Sequence, residues 1–250
     1  MATEPSALAR PERVFLTAEW RDVAMLNYDV DASLLARSVP RGTDLDTFDG
    51  RTLVSLVGFR FLRTRIFGVA AVPFHANFDE VNLRFYVRRR DASGEVRRGV
   101  VFIREIVPRR AIALIARLAY NENYSCYPMR HRVGANGADV RAEYEWRLGG
   151  RWIGLRADAA GEPALPSEGS LEQFISEHYW GYSRQRDGGT VEYHVTHPQW
   201  RVWRSASAGF VGDGAAMYGA AFGEVLARRP DSAFVAEGSA VSVFAGRRIA

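Results

Sequence analysis

The chain has 250 residues, 47% hydrophobic and 25% charged, with a formal net charge of only +4; folding at this length buries roughly 70–75% of the extended chain's surface, enough for one large domain or two small ones. All 33 basic side chains are arginine, so no lysine is present to form an imine. With so small a net charge, the high isoelectric point reflects arginine as the sole strong base and is no nucleic-acid signal.

Residues 1–12 carry prolines, acids and arginines and read as a disordered leader without the apolar run of a signal peptide. Residues 13–250 contain no internal repeat or clear linker and read as a single domain. Residues 19–30 are strand-like, and Asp31 and Ser33 offer caps for a short helix that ends by Pro40. Strands are predicted at 43–47 and 51–61, around the turn Phe48-Asp49-Gly50. The clearest hairpin joins 81–90 to 96–107 through a turn at Asp91–Gly94, which places Glu80 opposite Glu105. Its tip carries Arg88–Arg90, Arg97 and Arg98, which read as a solvated basic cluster.

After Pro108, residues 109–120 suit a helix packed on the sheet. Strands follow at 124–133, 138–147 and 151–157, and Ser170 with Gln173 forms a capping-box pattern before a short helix to Tyr179. Residues 191–204 form a strand region broken near Pro198, Asp213 caps a helix to about Arg228, and 240–245 form a closing strand. Many strands and few helices predict a mainly β fold, an antiparallel sheet closed into a barrel.

The densest polar constellation lies in residues 78–87. Strand alternation puts Val81, Leu83, Phe85 and Val87 on one face and Glu80, Asn82, Arg84 and Tyr86 on the other. Turned inward, that second face offers a small polar ligand a carboxylate, an amide, a guanidinium and a phenol; turned outward, it is a solvated strand face. A Glu80–Glu105 pair would be a natural general acid or base. His194 and His197 are three apart on a strand and point to opposite faces, so no metal site is predicted. His197 is the candidate for a pocket hydrogen bond, whereas His75, His178 and His194 read as structural. Cys126, the sole cysteine, permits no internal disulfide, compatible with the cytoplasm, and reads as a small buried hydrophobe. No run of some 18 apolar residues predicts a membrane span, and no GxSxG or nucleotide-binding motif is present.

The segments DGRTLVSLVGFRF (49–61), FDEVNLRFYV (78–87) and HYWGYSRQ…HVTHPQW (178–200) resemble the YqjF-like family of bacterial proteins of unknown function, with likeness over most of 15–245. That family is similar to proteins of the acetoacetate-decarboxylase-like fold, which implies a β barrel or cone with peripheral helices and an internal pocket. The resemblance turns the Glu80 face inward. It also sets Arg109, beside Arg110, where the decarboxylase carries its Schiff-base lysine, and a guanidinium forms no imine. The expectation is therefore a protein that holds a small organic anion, a carboxylate. Arg84 and Arg109 would bind the charge, Glu80, Asn82, Glu105 and Tyr86 would orient the molecule, and His197 would add a hydrogen bond. No cofactor, nucleic acid or membrane partner is expected. Two alternatives stay open: a lysine-independent lyase or isomerase with Glu80 as base, and a structural or partner-binding protein with a filled barrel. Ligand identity and oligomeric state are not encoded in any recognisable motif.

Overall fold

The computed structural model describes residues 13–67, 76–108, 123–136 and 139–250. The predicted leader, the predicted helix 109–120, Arg109, Arg110 and His75 lie outside the described residues. Among the described residues the chain forms fourteen strands: β1 (Val14–Val30), β2 (Asp44–Leu45), β3 (Thr52–Ile66), β4 (Phe78–Arg90), β5 (Val96–Val107), β6 (Tyr124–Cys126), β7 (Met129–Asn136), β8 (Asp139–Leu148), β9 (Arg151–Ala159), β10 (Trp180–Arg184), β11 (Thr190–Thr196), β12 (Val202–Val211), β13 (Ser232–Phe244) and β14 (Arg247–Arg248). Short helices occupy Leu171–Ser176, Gly214–Tyr218 and Ala220–Ala227.

The sheet runs β11-β10-β5-β4-β3-β1-β13, and the pairing of Val195 with Val243 and Thr196 with Ser242 brings β11 back to β13, closing a ring. Most contacts in this ring are antiparallel; β10 joins β5 in parallel through Trp180–Gly99. β12 pairs with β13 over Val202–Arg204, then leaves it to pair with β9 from Ser205 to Val211. It thereby starts a second antiparallel layer, β12-β9-β8-β7.

Alternation along β4 supplies both layers. Its apolar side chains (Val81, Leu83, Phe85) are fully buried in one cluster with Tyr144 and Trp146 of β8 and Leu155 of β9. The other face points into the ring. The resemblance implied helices over the apolar face; among the described residues the second sheet covers it, joined by Tyr218 and Leu226 from the two C-terminal helices. Close approach of the layers needs Gly58: a Cβ there would sit 2.6 Å from the Tyr144 ring. Tyr144 in turn donates its hydroxyl to the Asp22 carbonyl at 2.7 Å, where β1 bulges with Asp22 at φ 57°.

The β4–β5 register corrects the predicted one. The hairpin loop holds five residues, with Asp91 N–H donating to Glu95 and Arg90 opposite Val96. That is a slip of one, which alone would have turned Glu105 outward. Ile103 then bulges, so that Arg84 faces Phe102 while Leu83 faces Arg104. The bulge adds a second residue of offset and restores parity: Glu105 lies opposite Asn82 and on the same face as Glu80.

Other differences follow from tertiary pairing. β13 is far longer than the predicted strand 240–245, and β12 continues past the predicted end at Arg204 to Val211, because their Ala, Ser and Gly residues have low strand propensity and are held by neighbouring strands. The predicted helix from Asp213 is two helices, split at Gly219 with φ 85°. The strand predicted at 124–133 breaks at Tyr127–Pro128, leaving Cys126 half-buried at the end of β6. The arginine cluster at the hairpin tip is also more than solvated. Arg89 and Arg97 reach the fully buried carboxylate of Glu192 at 2.9 and 2.8 Å, joined by Arg247 at 2.7 Å and the Tyr182 hydroxyl at 3.1 Å.

Candidate functional site

The ring encloses a cavity of about 140 Å³, room for a cluster of waters or one small organic molecule. Most of its wall is apolar, with Met25, Val57, Phe59, Phe61 and Phe102 supplied by the inward faces of β1, β3 and β5. Trp20, Trp180 and Trp200 add aromatic surface. The polar groups gather on one side, on β4, β5 and the segment following the Leu171–Ser176 helix.

Glu80, Asn82 and Glu105 are buried there, each at most 3% exposed. Asn82 donates from Nδ2 to Glu80 Oε1 at 3.1 Å, and the Tyr124 hydroxyl from β6 donates to Glu80 Oε2 at 3.4 Å. Glu105, opposite Asn82, is a diagonal neighbour of Glu80, a placement within reach of long side chains. Asn82 Oδ1 is buried with no hydrogen-bond partner.

Arg84 is the cation of this wall. It donates from Nη2 to the Ile175 carbonyl at 3.3 Å and lies 5.7 Å from the centre of the Tyr86 ring. Its Nε is buried without a partner, and among the described residues no carboxylate pairs with it. The Glu192 cluster, where three arginines share one buried carboxylate, contrasts with this. A guanidinium presents five donors in a planar fork suited to a carboxylate, and this one has donors to spare.

Tyr86 shares the inward face but does not line the cavity. Ser55 donates its one proton to Asn27 Oδ1 at 2.6 Å, so at the 2.5 Å Ser55–Tyr86 contact the phenol is the donor. Asn27 passes the chain on to Ser232 at 3.0 Å. With its proton committed to this network, Tyr86 is part of the packing behind the wall, which corrects its predicted ligand role.

His178, read from the sequence as structural, lines the cavity with a fully buried ring. Its Nε2 meets Asp46 Oδ2 at 3.1 Å, and Asp46 also accepts from Arg98 Nε at 2.7 Å. Nδ1 has no partner. Burial pushes its pKa down to about 4, against the opposing pull of Asp46, and the charges of Arg98 and Arg84 push the same way. The ring is therefore neutral near pH 7. Burial would raise the Asp46 carboxyl, but its bonds to His178 and Arg98 hold it below the usual range. No local motif marks this pair, since 132 residues separate its members.

His197 lines the cavity too, just past the end of β11, with Nδ1 2.9 Å from the Pro198 carbonyl and its ring stacked 4.2 Å from Trp200. Burial lowers its pKa, the Pro198 bond opposes, and the Arg84 charge lowers it further. His194 instead stacks on Trp180 and Phe244 on the far side of that strand. Among the described residues no group of three His, Cys, Asp or Glu side chains is placed to hold a metal, and no helix is long and apolar enough to cross a membrane.

The model of the DUF2071 family, uncharacterized conserved proteins, matches residues 17–240. The chain belongs to that family. It is 25% identical over 190 residues to the uncharacterized protein YqjF of Bacillus subtilis (strain 168), covering 75% of this chain and 76% of that one. Among solved structures it is similar to acetoacetate decarboxylase from Legionella pneumophila, with a TM-score of 0.66 at 13% identity over 100% of this chain and 92% of that one. The enduracididine biosynthesis enzyme MppR, in complex with pyruvate, matches with a TM-score of 0.65 at 15% identity over 99% and 93%. An acetoacetate decarboxylase-like enzyme from Sphingomonas wittichii RW1 matches with a TM-score of 0.63 at 13% identity over 99% of both chains. At these identities the likeness establishes the fold: this DUF2071 protein has the acetoacetate-decarboxylase-like architecture.

Proposed function

We propose that the cavity binds a small organic carboxylate, held by Arg84, without Schiff-base chemistry. The observation that carries this reading is a cation on the polar side of an otherwise apolar cavity, with no carboxylate paired to it among the described residues and with Nε unpartnered. A half-buried guanidinium with a buried, unmet donor gains from a partner, and a ligand carboxylate would complete the fork with two parallel hydrogen bonds. Asn82 and His197 would orient the molecule from either side, with Glu80 and Glu105 beside it. The predicted contribution of Arg109 remains part of the proposal. That MppR is seen with pyruvate fits an occupant of this size in this fold. The absence of lysine removes the imine route for any such acid.

Thermal denaturation against a panel of keto, hydroxy and dicarboxylic acids tests the reading. A binder at a hundredfold its dissociation constant adds about 2.7 kcal/mol of stability, or a midpoint rise of roughly 5–10 °C for a domain of this size. The rise should vanish in Arg84→Met. No shift with any acid would remove the reading.

Two buried carboxylates on one wall favour a second reading, a lysine-independent lyase or isomerase with Glu80 as general base and Arg84 stabilising an enolate-like charge. It expects a bound acid to exchange the hydrogen next to its carboxylate or carbonyl with deuterated solvent, and Glu80→Gln to stop that exchange. A purely structural role expected a filled ring, and the cavity counts against it.

A further inference from the structure

We infer that the Asp46–His178 pair makes this site selective for an acid bearing a hydroxyl: the carboxylate lies on Arg84 and the hydroxyl donates to His178 Nδ1. The inference rests on the carboxylate reading above and specifies its substrate class.

The argument starts from the tautomer. Asp46 is an acceptor at 3.1 Å from Nε2, so the neutral ring carries its proton on Nε2. Arg98, at 2.7 Å, holds the same carboxylate oxygen in place and keeps it charged. Nδ1 is then a bare acceptor, and it is buried without a partner in a ring that is 1% exposed and forms part of the cavity wall. Leaving such an acceptor unmet costs free energy that a ligand donor recovers. Asn82 Oδ1, a second buried acceptor on the same wall, makes the same demand.

Arg84, Tyr86 and His178 are neighbours: the guanidinium lies 5.7 Å from the Tyr86 ring centre, and that ring lies 4.7 Å from the imidazole. The charge of Arg84 is felt at His178. Beside the carboxyl groups of Glu80 and Glu105, this side thus offers one cationic donor, Arg84, and two unmet neutral acceptors, His178 Nδ1 and Asn82 Oδ1. A keto acid brings acceptors only, which satisfy Arg84 and leave Nδ1 facing a carbonyl. A hydroxy acid brings both a carboxylate and a donor. An α-amino acid would also bring a donor, as an ammonium that meets Arg84 and Arg98 on one side and the carboxyl groups of Glu80 and Glu105 on the other, so alanine is the control that separates it from a hydroxyl.

The test is calorimetric titration of wild type, His178→Phe and Arg84→Met with lactate, pyruvate and alanine, and with the larger pair 2-hydroxyisocaproate and 2-oxoisocaproate. Wild type should bind each hydroxy acid about five- to tenfold more tightly than its keto partner, the worth of one hydrogen bond to a buried acceptor. His178→Phe should abolish the preference, so that each hydroxy acid binds no more tightly than its keto partner, while Arg84→Met should lose both. Equal or inverted preference in wild type, stronger binding of alanine, or an equal loss for both acids in His178→Phe would overturn the inference while leaving the carboxylate reading standing. If no acid binds wild type, the carboxylate reading falls as well. A measurement independent of folding in the variants is the 15N spectrum of histidine-labelled wild type. Nδ1 of His178 should resonate as an unprotonated ring nitrogen and shift when lactate is added, and a proton on Nδ1 in the free protein would overturn the inference.

Discussion

Two polar centres in this molecule are built from the same residue types and end in opposite conditions. Around Glu192, one fully buried carboxylate takes Arg89, Arg97 and Arg247 together with the Tyr182 hydroxyl, and the Arg97 guanidinium carbon also sits over the Trp180 ring, 4.3 Å from its centre. Around Arg84, one guanidinium faces a cavity with an unpartnered Nε and with no carboxylate paired to it among the described residues. Burial would raise the Glu192 carboxyl, but Arg247, Arg89, Tyr182 and Arg97 together hold it below its ordinary range. The first centre is complete and ties β4, β5, β10, β11 and β14 together. The second is incomplete, as the proposed carboxylate site requires.

Removing charge should therefore act in opposite directions at the two centres. Glu192→Gln strands three guanidinium groups around a neutral amide, and urea denaturation should show the largest loss, about 3 kcal/mol as for other broken buried ion pairs. A change of less than about 1 kcal/mol there would mean that solvent already carries those arginines, and the contrast with Arg84 would collapse.

The next effect is a pH dependence set by His178. Its folded pKa of about 4 lies below the ordinary 6.5, so between these values the unfolded chain binds the extra proton. Stability from this group is complete above pH 6.5 and declines as pH falls toward 4, by roughly 3 kcal/mol at most. His178→Phe should flatten that part of the wild-type stability profile. The depressed carboxyl of Glu192 gives a loss at lower pH, below the ordinary carboxylate value of 4.5, so the two contributions are separable by comparing variants.

Arg84→Met should come third, with the opposite sign to Glu192→Gln. In ligand-free protein it removes a half-buried cation whose Nε is unsatisfied and leaves stability unchanged or raised by up to about 1 kcal/mol. A marked loss would show that Arg84 serves the fold. Smallest of all, Arg132→Ala removes an exposed pair with Glu143 on the β7–β8 ladder and should leave the melting midpoint indistinguishable from wild type. That result would show that burial, and not the number of ion pairs, distinguishes the Glu192 centre.

The hairpin illustrates how far the chain's own pattern reaches. The period-two alternation of residues 78–87 separates Glu80, Asn82 and Arg84 from Val81, Leu83 and Phe85 without reference to any other strand, and Ser170 and Asp213 cap the helices that follow them. These are short-range effects, decided within a few residues of backbone. Which face meets the cavity was legible only through resemblance to a family, because either face of a strand can be turned inward until its neighbours are known.

Local pattern determined the alternating strands, most turns and helix caps, and the exclusion of lysine chemistry, because each depends on residue type and on separations of one to four positions. Tertiary structure alone decided the bulge at Ile103 that returned Glu105 to the cavity, the withdrawal of Tyr86 into the Ser55–Asn27 chain, the gathering of the hairpin arginines on Glu192, and the choice of His178 with Asp46 as a cavity pair. Each of those depends on strand register and on partners dozens to more than a hundred residues away. A hydrogen bond or an unmet charge is a property of the space between residues, and that space exists only once the ring has closed.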